Sequence, residues 1–374
     1  MKKKLIALVC ALALTFSLAG CVISTPDTVG KIGDFEVSSG LYLLAQYGAY
    51  QQAVQLADSD QNTTKVKSFL KETITTDSDS SETAVVKDFV ADKTLETLQL
   101  YAAIEARFDE LGGELTEAQQ TLADNYAQQL MDQYGDTYTA NGIGLETLKT
   151  FERIQVKHTL LLNLVYGTGG ETPVSDSELT DHLKSSMVEL AYLTVPMYNT
   201  STFAFADDTQ KEEMLNLATA AMDSYNASIP TGSTAQTSQF TAAATAALSD
   251  IYGVLDMDAS SANSTVQTEL LTSSDLADSF TLNDSGDTLL GLAYGEAAAV
   301  QYSNYAMMMA VRLDPLQVST LDSLRSQILS DLKGDELDDA LAAYGAQLTN
   351  DLDSSAMNKL PASKIDTTTS SSNS

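Results

Sequence analysis

The sequence predicts an α+β protein that is mainly helical, because three patterns follow one another along the chain. Apolar residues recur every three or four positions between residues 83 and 165, which is the spacing of amphipathic helices. Apolar and polar residues alternate over Met187 to Pro196 and again around residue 307, as is typical of strands. Helical spacing returns after residue 320. We therefore expect a helical region, an α/β unit and closing helices.

The first 20 residues have the three parts of a signal peptide. Lysines at positions 2–4 precede an apolar stretch of about 14 residues, fewer than the roughly 20 that a membrane-spanning helix needs. The Leu-Ala-Gly-Cys motif at 18–21 resembles the bacterial lipobox. This resemblance implies cleavage before Cys21, a diacylglycerol on its sulfur and lipid anchoring to the outer face of the cell membrane, with residues 21–27 as a tether. The alternative is an ordinary secretory signal with an incidental cysteine.

Charge and cysteine content exclude several classes of protein. The chain has 20 basic and 51 acidic residues, and loss of the three leader lysines would leave 17 basic residues and a net charge of −34. Such a surface repels nucleic acid and anionic lipid head groups. Cys10 would leave with the signal peptide and Cys21 would carry lipid, so we expect no disulfide and no cysteine chemistry. The length predicts two or more domains.

The N-terminal region predicts strands followed by helices. Thr28 to Val37 predicts two short strands around the turn Gly33-Asp34, and Ser38 can cap a helix that ends near Ala57. The polar stretch 58–82 predicts a loop or a partly ordered insert. Three amphipathic helices follow, the second starting at a Thr116–Gln119 capping box, and their apolar faces must pack together. The faces are Leu98, Tyr101, Ile104, Phe108 and Leu111; Leu122, Tyr126, Leu130 and Tyr134; and Leu148, Phe151, Ile154, His158, Leu161 and Val165.

The second half predicts a mixed unit. A short helix begins at Ser175 and precedes the strand Met187 to Pro196, and further helices cover Asp207 to Tyr225 and Phe240 to Leu248. A hairpin follows, with a turn at Ser303-Asn304. Met307, Met309, Val311 and Leu313 would line one face of its second strand. The leucines from 321 to 348 predict one or two closing helices that are broken near Gly334, and residues 353–374 predict a disordered tail.

The order of these segments resembles the bacterial extracytoplasmic foldases of the PrsA and SurA type. The resemblance is carried by Val29-Gly30-Lys31-Ile32-Gly33 before a helix, by residues 86–113 and 145–165, and by Val174 to Leu179 before the α/β unit. It implies a SurA-like N-terminal helical chaperone domain (28–174) completed by C-terminal helices (316–352), with an inserted parvulin-like α/β domain (175–315). It also implies a chaperone that binds unfolded or folding secreted proteins, without a cofactor.

The inserted domain resembles a parvulin, the prolyl isomerase domain of these foldases. Leu190 to Val195 resembles the opening strand, Phe240 to Asp250 resembles a Phe, Ala, Ser, Asp segment, and Gly295-Glu296 precedes a closing hairpin. The usual histidines are missing, since Ala191 or Tyr192 and Ala306 or Met307 occupy their places. The resemblance therefore predicts a degenerate, noncatalytic domain, with an active peptidyl-prolyl isomerase as the alternative. The candidate cleft residues are Leu190, Tyr192, Phe240, Tyr305 and Met307.

The sequence has few residues that could form a hydrolase, metal or phosphate-binding site. His158 and His182 are its two histidines, too few for a histidine hydrolase or a zinc site, and no glycine cluster is followed by the Lys and Ser or Thr of a phosphate loop. Carboxylates are so numerous that no catalytic pair can be selected. We therefore assign no catalytic residue and no metal ligand. A third hypothesis is an envelope lipoprotein that binds a solute or a partner protein, which two βαβ lobes around a cleft would favour.

Overall fold

The structure, a computed structural model, describes residues 26–77, 81–229, 236–258 and 264–368. The predicted signal peptide and Cys21 lie outside these residues. The strands are β1 Thr28–Ile32, β2 Phe35–Ser38, β3 Thr73–Thr75, β4 Thr83–Val85, β5 Met187–Pro196, β6 Gln267–Thr272, β7 Ala297–Ser303, β8 Ala306–Leu313 and β9 Asn350–Leu352. The α-helices are α1 Ser39–Gln55, α2 Val66–Phe69, α3 Val86–Glu110, α4 Glu117–Ala140, α5 Leu145–Tyr166, α6 Asp176–Ser186, α7 Asp208–Ser228, α8 Gln236–Gly253, α9 Ser273–Ser279, α10 Ser285–Gly291, α11 Pro315–Val318, α12 Leu321–Gly345 and α13 Ser354–Met357.

The fold is α+β and mainly helical, as predicted, and its strand pairs are antiparallel. The chain divides into two compact units, one of residues 1–161 with 337–374 and one of residues 162–336. Both sequence-based domain limits, near residues 174 and 315, fall inside the second unit. Across the described ranges, none of the helices combines the length and the apolar character needed to cross a bilayer.

In the first unit, the N-terminal and C-terminal strands pair with each other. The sheet order is β2-β1-β9, and Gly30 of β1 lies opposite Leu352 of β9. Gly30 has a φ of +119°, and a Cβ there would lie 2.4 Å from the carbonyl oxygen of Asp351. Glycine is required at this position because the left-handed backbone and the close approach both exclude a side chain. Strand β9 is thereby joined to strand β1.

The helices of this unit pack through α1 and α3. The Ser38 hydroxyl accepts the N–H of Leu41 and caps α1, as predicted. The face of α3 that carries Leu98, Tyr101, Ile104 and Phe108 is buried, also as predicted. The last turn of α12 lies against α3, because a Cβ on Gly345 would be 2.5 Å from the Gln99 carbonyl oxygen.

The predicted apolar face of α4 is wrong. Leu122, Tyr126 and Tyr134 are each 47% exposed, whereas Ala123 and Ala127 are fully buried. The two sets of residues are one position apart, which turns the buried face by about 100°. Spacing located an apolar stripe on the helix, but the buried cluster in this region includes Ala127 instead.

Two polar segments are folded in part: residues 58–82, which were predicted to be a loop or a partly ordered insert, and the tail, which was predicted to be disordered. Residues 58–82 contain α2 and β3, and Phe69 and Ile74 are buried beside Tyr50 of α1. The tail contains α13 and a 3-10 turn at Ala362–Lys364. Asn141 fixes this tail, because its side-chain oxygen accepts the N–H of Asp366 at 2.8 Å and its amide donates to the Asp366 carbonyl at 3.0 Å. The average composition was polar, but a few apolar and amide side chains supplied the contacts that order these segments.

The second unit is built on a four-stranded sheet of order β6-β5-β8-β7. β5 has the predicted bounds and is hydrogen-bonded on both sides. α7 and α8 cover the face that carries Met307, Met309, Val311 and Leu313, which confirms the shared face of these residues. The opposite face, which carries Val188, Leu190 and the half-buried Tyr192, packs on α9 and α10.

Three details of this region differ from the sequence-based prediction. β6 was not predicted, because its Gln, Thr and Glu leave it with little alternation. The hairpin turn lies at Asn304-Tyr305 rather than at Ser303-Asn304. Helix α12 continues through Gly334, where a glycine costs about 1 kcal/mol relative to alanine, too little to end a helix that buries Ile328, Leu329, Leu337 and Leu341.

Candidate functional site

The predicted parvulin-like cleft is not assembled. Leu190 and Tyr192 lie on the face of the sheet that packs on α9 and α10, whereas Phe240 and Met307 are buried under the opposite face. Tyr305 is in the hairpin turn and is 56% exposed. β5 and β8 are hydrogen-bonded neighbours, with Val195 opposite Met307, so no cleft separates them. The prediction failed because alternate strand positions point to opposite faces.

Both histidines are paired with carboxylates. In the first unit, His158 Nε2 lies 2.7 Å from Asp338 Oδ1. In the second unit, His182 Nε2 lies 2.6 Å from Asp331 Oδ2. Each pair joins α12 to a helix of its own unit, which is a structural role. The described residues contain no group of three or more His, Cys, Asp or Glu side chains arranged to hold a metal ion.

A groove in the first unit has the features of a binding site. Its volume is about 720 Å³, and it lies between α1, α3 and the segment that follows β9. α1 contributes Tyr42 and Gln46, α3 contributes residues 87–98, and the C-terminal segment contributes residues 350–363. The apolar side chains that line it are Leu70, Val90, Ala91, Leu95, Leu98, Leu352, Met357, Pro361 and Ala362.

Secondary structure places these side chains. Ala91, Leu95 and Leu98 are three or four residues apart and therefore lie on one face of α3. Leu98 is fully buried, while Leu95 is half-buried and remains accessible from the groove. The opposite wall depends on the β1–β9 pairing, since β9 leads directly into α13 and Pro361.

Gln46 and Tyr42 form a hydrogen-bonded pair in this lining. Its other polar members are Lys87, Asp92, Thr94, Asn350, Ser354, Asn358 and Ser363. The Gln46 amide nitrogen donates to the Leu360 carbonyl and to the Tyr42 hydroxyl oxygen, at 3.2 Å each. The nearby carbonyl fixes the orientation of the Gln46 amide, because only its nitrogen can donate there. Within the described residues, the Gln46 amide oxygen accepts no hydrogen bond and the Tyr42 hydroxyl donates none. This pair therefore offers one acceptor and one donor to the groove.

These two groups match the chemistry of a peptide bond, which has one N–H donor and one carbonyl acceptor. Burial raises the pKa of Tyr42, and the Gln46 hydrogen bond opposes this effect only in part, so the hydroxyl keeps its proton at neutral pH. The sequence-based reasoning missed both residues. The available signal was a glutamine between Ala45 and Ala49 on the buried face of an otherwise apolar helix.

No family model matches this chain, and no curated protein matches it. Among solved structures, it is similar to the foldase protein PrsA from Streptococcus pneumoniae str. Canada MDR_19A, with a TM-score of 0.35 and 15% identity over 76% of this chain and 92% of that one. It is also similar to PrsA from Bacillus subtilis, with a TM-score of 0.29 and 13% identity over 78% and 93% of the two chains. A third similar structure is PrsA from Lactococcus lactis, with a TM-score of 0.32 and 11% identity over 90% and 98%. These are structures of the foldase type that the order of segments in this sequence resembles.

Proposed function

We propose that this protein is a membrane-anchored extracytoplasmic chaperone of the PrsA and SurA type, which holds unfolded exported proteins. The observation that carries the proposal is the groove, in which apolar side chains lie beside the Gln46 acceptor and the Tyr42 donor. A client segment would place apolar side chains against Leu95 and Met357 and one peptide group against the polar pair. Apolar burial of this kind contributes about 25 cal/mol per Å² and does not depend on a particular client sequence.

An aggregation assay tests the groove. A soluble form of the chain that starts after Cys21 would be mixed with an unfolded secreted protein, and light scattering would be followed. We expect Leu95→Asp to lose most of the suppression, because it places a charge among apolar side chains. Leu122→Asp is the matched control, since Leu122 is an exposed leucine on α4 outside the groove. The assignment would be contradicted if both variants lost suppression of aggregation equally. It would also be contradicted if the wild-type chain did not suppress aggregation.

We propose that the parvulin-like unit is noncatalytic. Support comes from Ala191 and Met307, which are at or next to the positions where a parvulin usually has histidines. Both residues are fully buried. A protease-coupled proline peptide assay should give the uncatalysed rate. Acceleration by the wild-type chain would instead favour the alternative, an active peptidyl-prolyl isomerase.

Membrane attachment through Cys21 is part of the proposal and rests on the Leu-Ala-Gly-Cys motif. We expect Cys21→Ser to move the protein from the membrane fraction to the soluble fraction of cells. Mass spectrometry of the wild-type N-terminal peptide should show a diacylglycerol on Cys21. An unmodified cysteine in membrane-extracted protein would remove this part of the proposal.

A further inference from the structure

An aromatic patch at one end of the sheet in the second unit is left uncovered. Phe203 and Phe205, in the loop after β5, are 71% and 64% exposed, and Tyr305, in the β7–β8 turn, is 56% exposed. The ring centroids of Phe205 and Tyr305 lie 5.1 Å apart, and those of Tyr198 and Phe205 lie 5.9 Å apart. We call these four residues the aromatic patch.

The loop that presents the patch is held in place by Asn199. The Asn199 side-chain oxygen accepts the N–H groups of Ser201 and Thr202 at 3.0 Å, and its amide donates to the Leu255 carbonyl at 3.1 Å. The loop is closed by a bridge between Tyr198 and Phe205. It is joined to the hairpin by the Met197 N–H, which donates to the Tyr305 carbonyl at 2.7 Å. The aromatic side chains are therefore presented on a hydrogen-bonded platform.

The backbone of Phe203 has an unfavourable conformation. Its φ is +57°, which lies in the left-handed region that bulky residues rarely occupy. Strain of this kind persists where the surrounding structure imposes it and is concentrated at ligand-binding positions. The exposed rings of Phe203, Phe205 and Tyr305 are not among the residues that form the buried clusters of this unit.

The charge of the second unit favours a cationic partner. Residues 162–336 include 24 acidic and five basic residues, a net charge of 5 − 24 = −19. Asp207 and Asp208 follow the loop directly, and Lys211 pairs with Asp208 at 3.6 Å. A second copy of this chain or an anionic membrane would be repelled. A positively charged segment would be attracted, and its Lys or Arg side chains could lie over the aromatic faces.

We propose that the aromatic patch is a docking site for extended, Lys- or Arg-rich segments of unfolded polypeptide. The site is separate from the groove and shares no residue with it. It gives the parvulin-like unit a binding role that does not need the missing histidines. The proposal does not depend on what the groove binds.

Fluorescence anisotropy tests the proposal with the soluble chain. The probe is a short dye-labelled peptide in which Lys alternates with Ser, and the comparison peptide carries Glu in place of Lys. We expect the Lys peptide alone to bind, more weakly at high salt. The double variant Phe203→Ala with Phe205→Ala should bind about tenfold more weakly, given the strength of cation–aromatic contacts. Leu122→Ala with Tyr126→Ala removes two exposed apolar side chains elsewhere and should bind like wild type.

Further measurements keep the outcomes distinct. Thermal unfolding checks that the double variant is folded, and Tyr305→Ala provides an independent change on the other loop. Leu95→Asp should leave binding of the Lys peptide unchanged, so failure of the groove and failure of the patch are separable. Amide shifts of Ala204 and Ala206 on peptide addition would locate the site. No binding by wild type, equal binding of the Glu peptide, or unaltered binding by the patch variants would overturn the proposal.

Discussion

Gly30→Ala tests the closure of the first unit, because Gly30 is the point at which the N-terminal and C-terminal strands meet. A Cβ there would lie 2.4 Å from the Asp351 oxygen and 2.8 Å from the Leu352 Cα, and both are backbone atoms that cannot rotate away. Overpacking of this kind costs about 1–3 kcal/mol, and forcing alanine to a φ of +119° costs a similar amount. Reduced entropy of the unfolded chain returns about 0.4–1 kcal/mol. We expect a net loss of about 3 kcal/mol in the free energy of unfolding, or detachment of β9.

Urea unfolding and hydrogen exchange measure these two outcomes. Detachment of β9 would raise the exchange of residues 350–363 and, because they form one wall of the groove, would also weaken suppression of aggregation. Gly48→Ala is the matched control, since Gly48 lies inside α1 with nothing within 4 Å of the added Cβ. It should stabilise the protein by about 0.5–1 kcal/mol. If Gly30→Ala unfolds at the wild-type urea midpoint and residues 350–363 exchange as before, the inferred closure is wrong.

Three further changes test other parts of the structure. On α4, Ala127→Leu should cost about 1–3 kcal/mol in urea unfolding through overpacking, whereas Leu122→Ala should cost under about 0.5 kcal/mol; the reverse order would restore the sequence-based face. Thr116→Ala removes the capping box of α4 and should cost about 1 kcal/mol by the same measurement, while an unchanged midpoint would show that the cap contributes nothing. Burial raises the pKa of Glu189, so the contribution of this residue to stability should fall as pH rises through the ordinary carboxyl range, and Glu189→Gln should be more stable than wild type at about pH 7 but not below about pH 4. A stability difference that does not vary with pH would contradict this last expectation.

Local signals in the sequence predicted the elements well. Ser38 caps α1, Thr116 and Gln119 form the capping box of α4, and β5 spans Met187 to Pro196 as its alternation indicated. These features depend on residues close together in the chain, where spacing and hydrogen-bonding capacity are sufficient information. The same applies to the shared face of Met307 and Met309, which follows from the two-residue repeat of a strand.

The sequence could not locate the candidate site, because its residues come from distant segments. Gln46 donates to the Leu360 carbonyl across 314 positions, and that partner lies in a tail that composition predicted to be disordered. The predicted cleft failed for a related reason. Leu190 and Met307 were chosen from neighbouring strands without knowledge of which face each would present.

The sequence by itself determined the class of the fold, the order of its longer helices and of strands β5, β7 and β8, and a strongly acidic composition that disfavours anionic partners. Tertiary structure alone decided that β9 returns to β1, that α4 buries alanines rather than tyrosines, and that Gln46 faces a groove. It also decided that Phe205 meets Tyr305 outside the core. The physical reason is that helices and strands follow local spacing, whereas burial depends on which surfaces meet, and those surfaces are contributed by residues far apart in the chain.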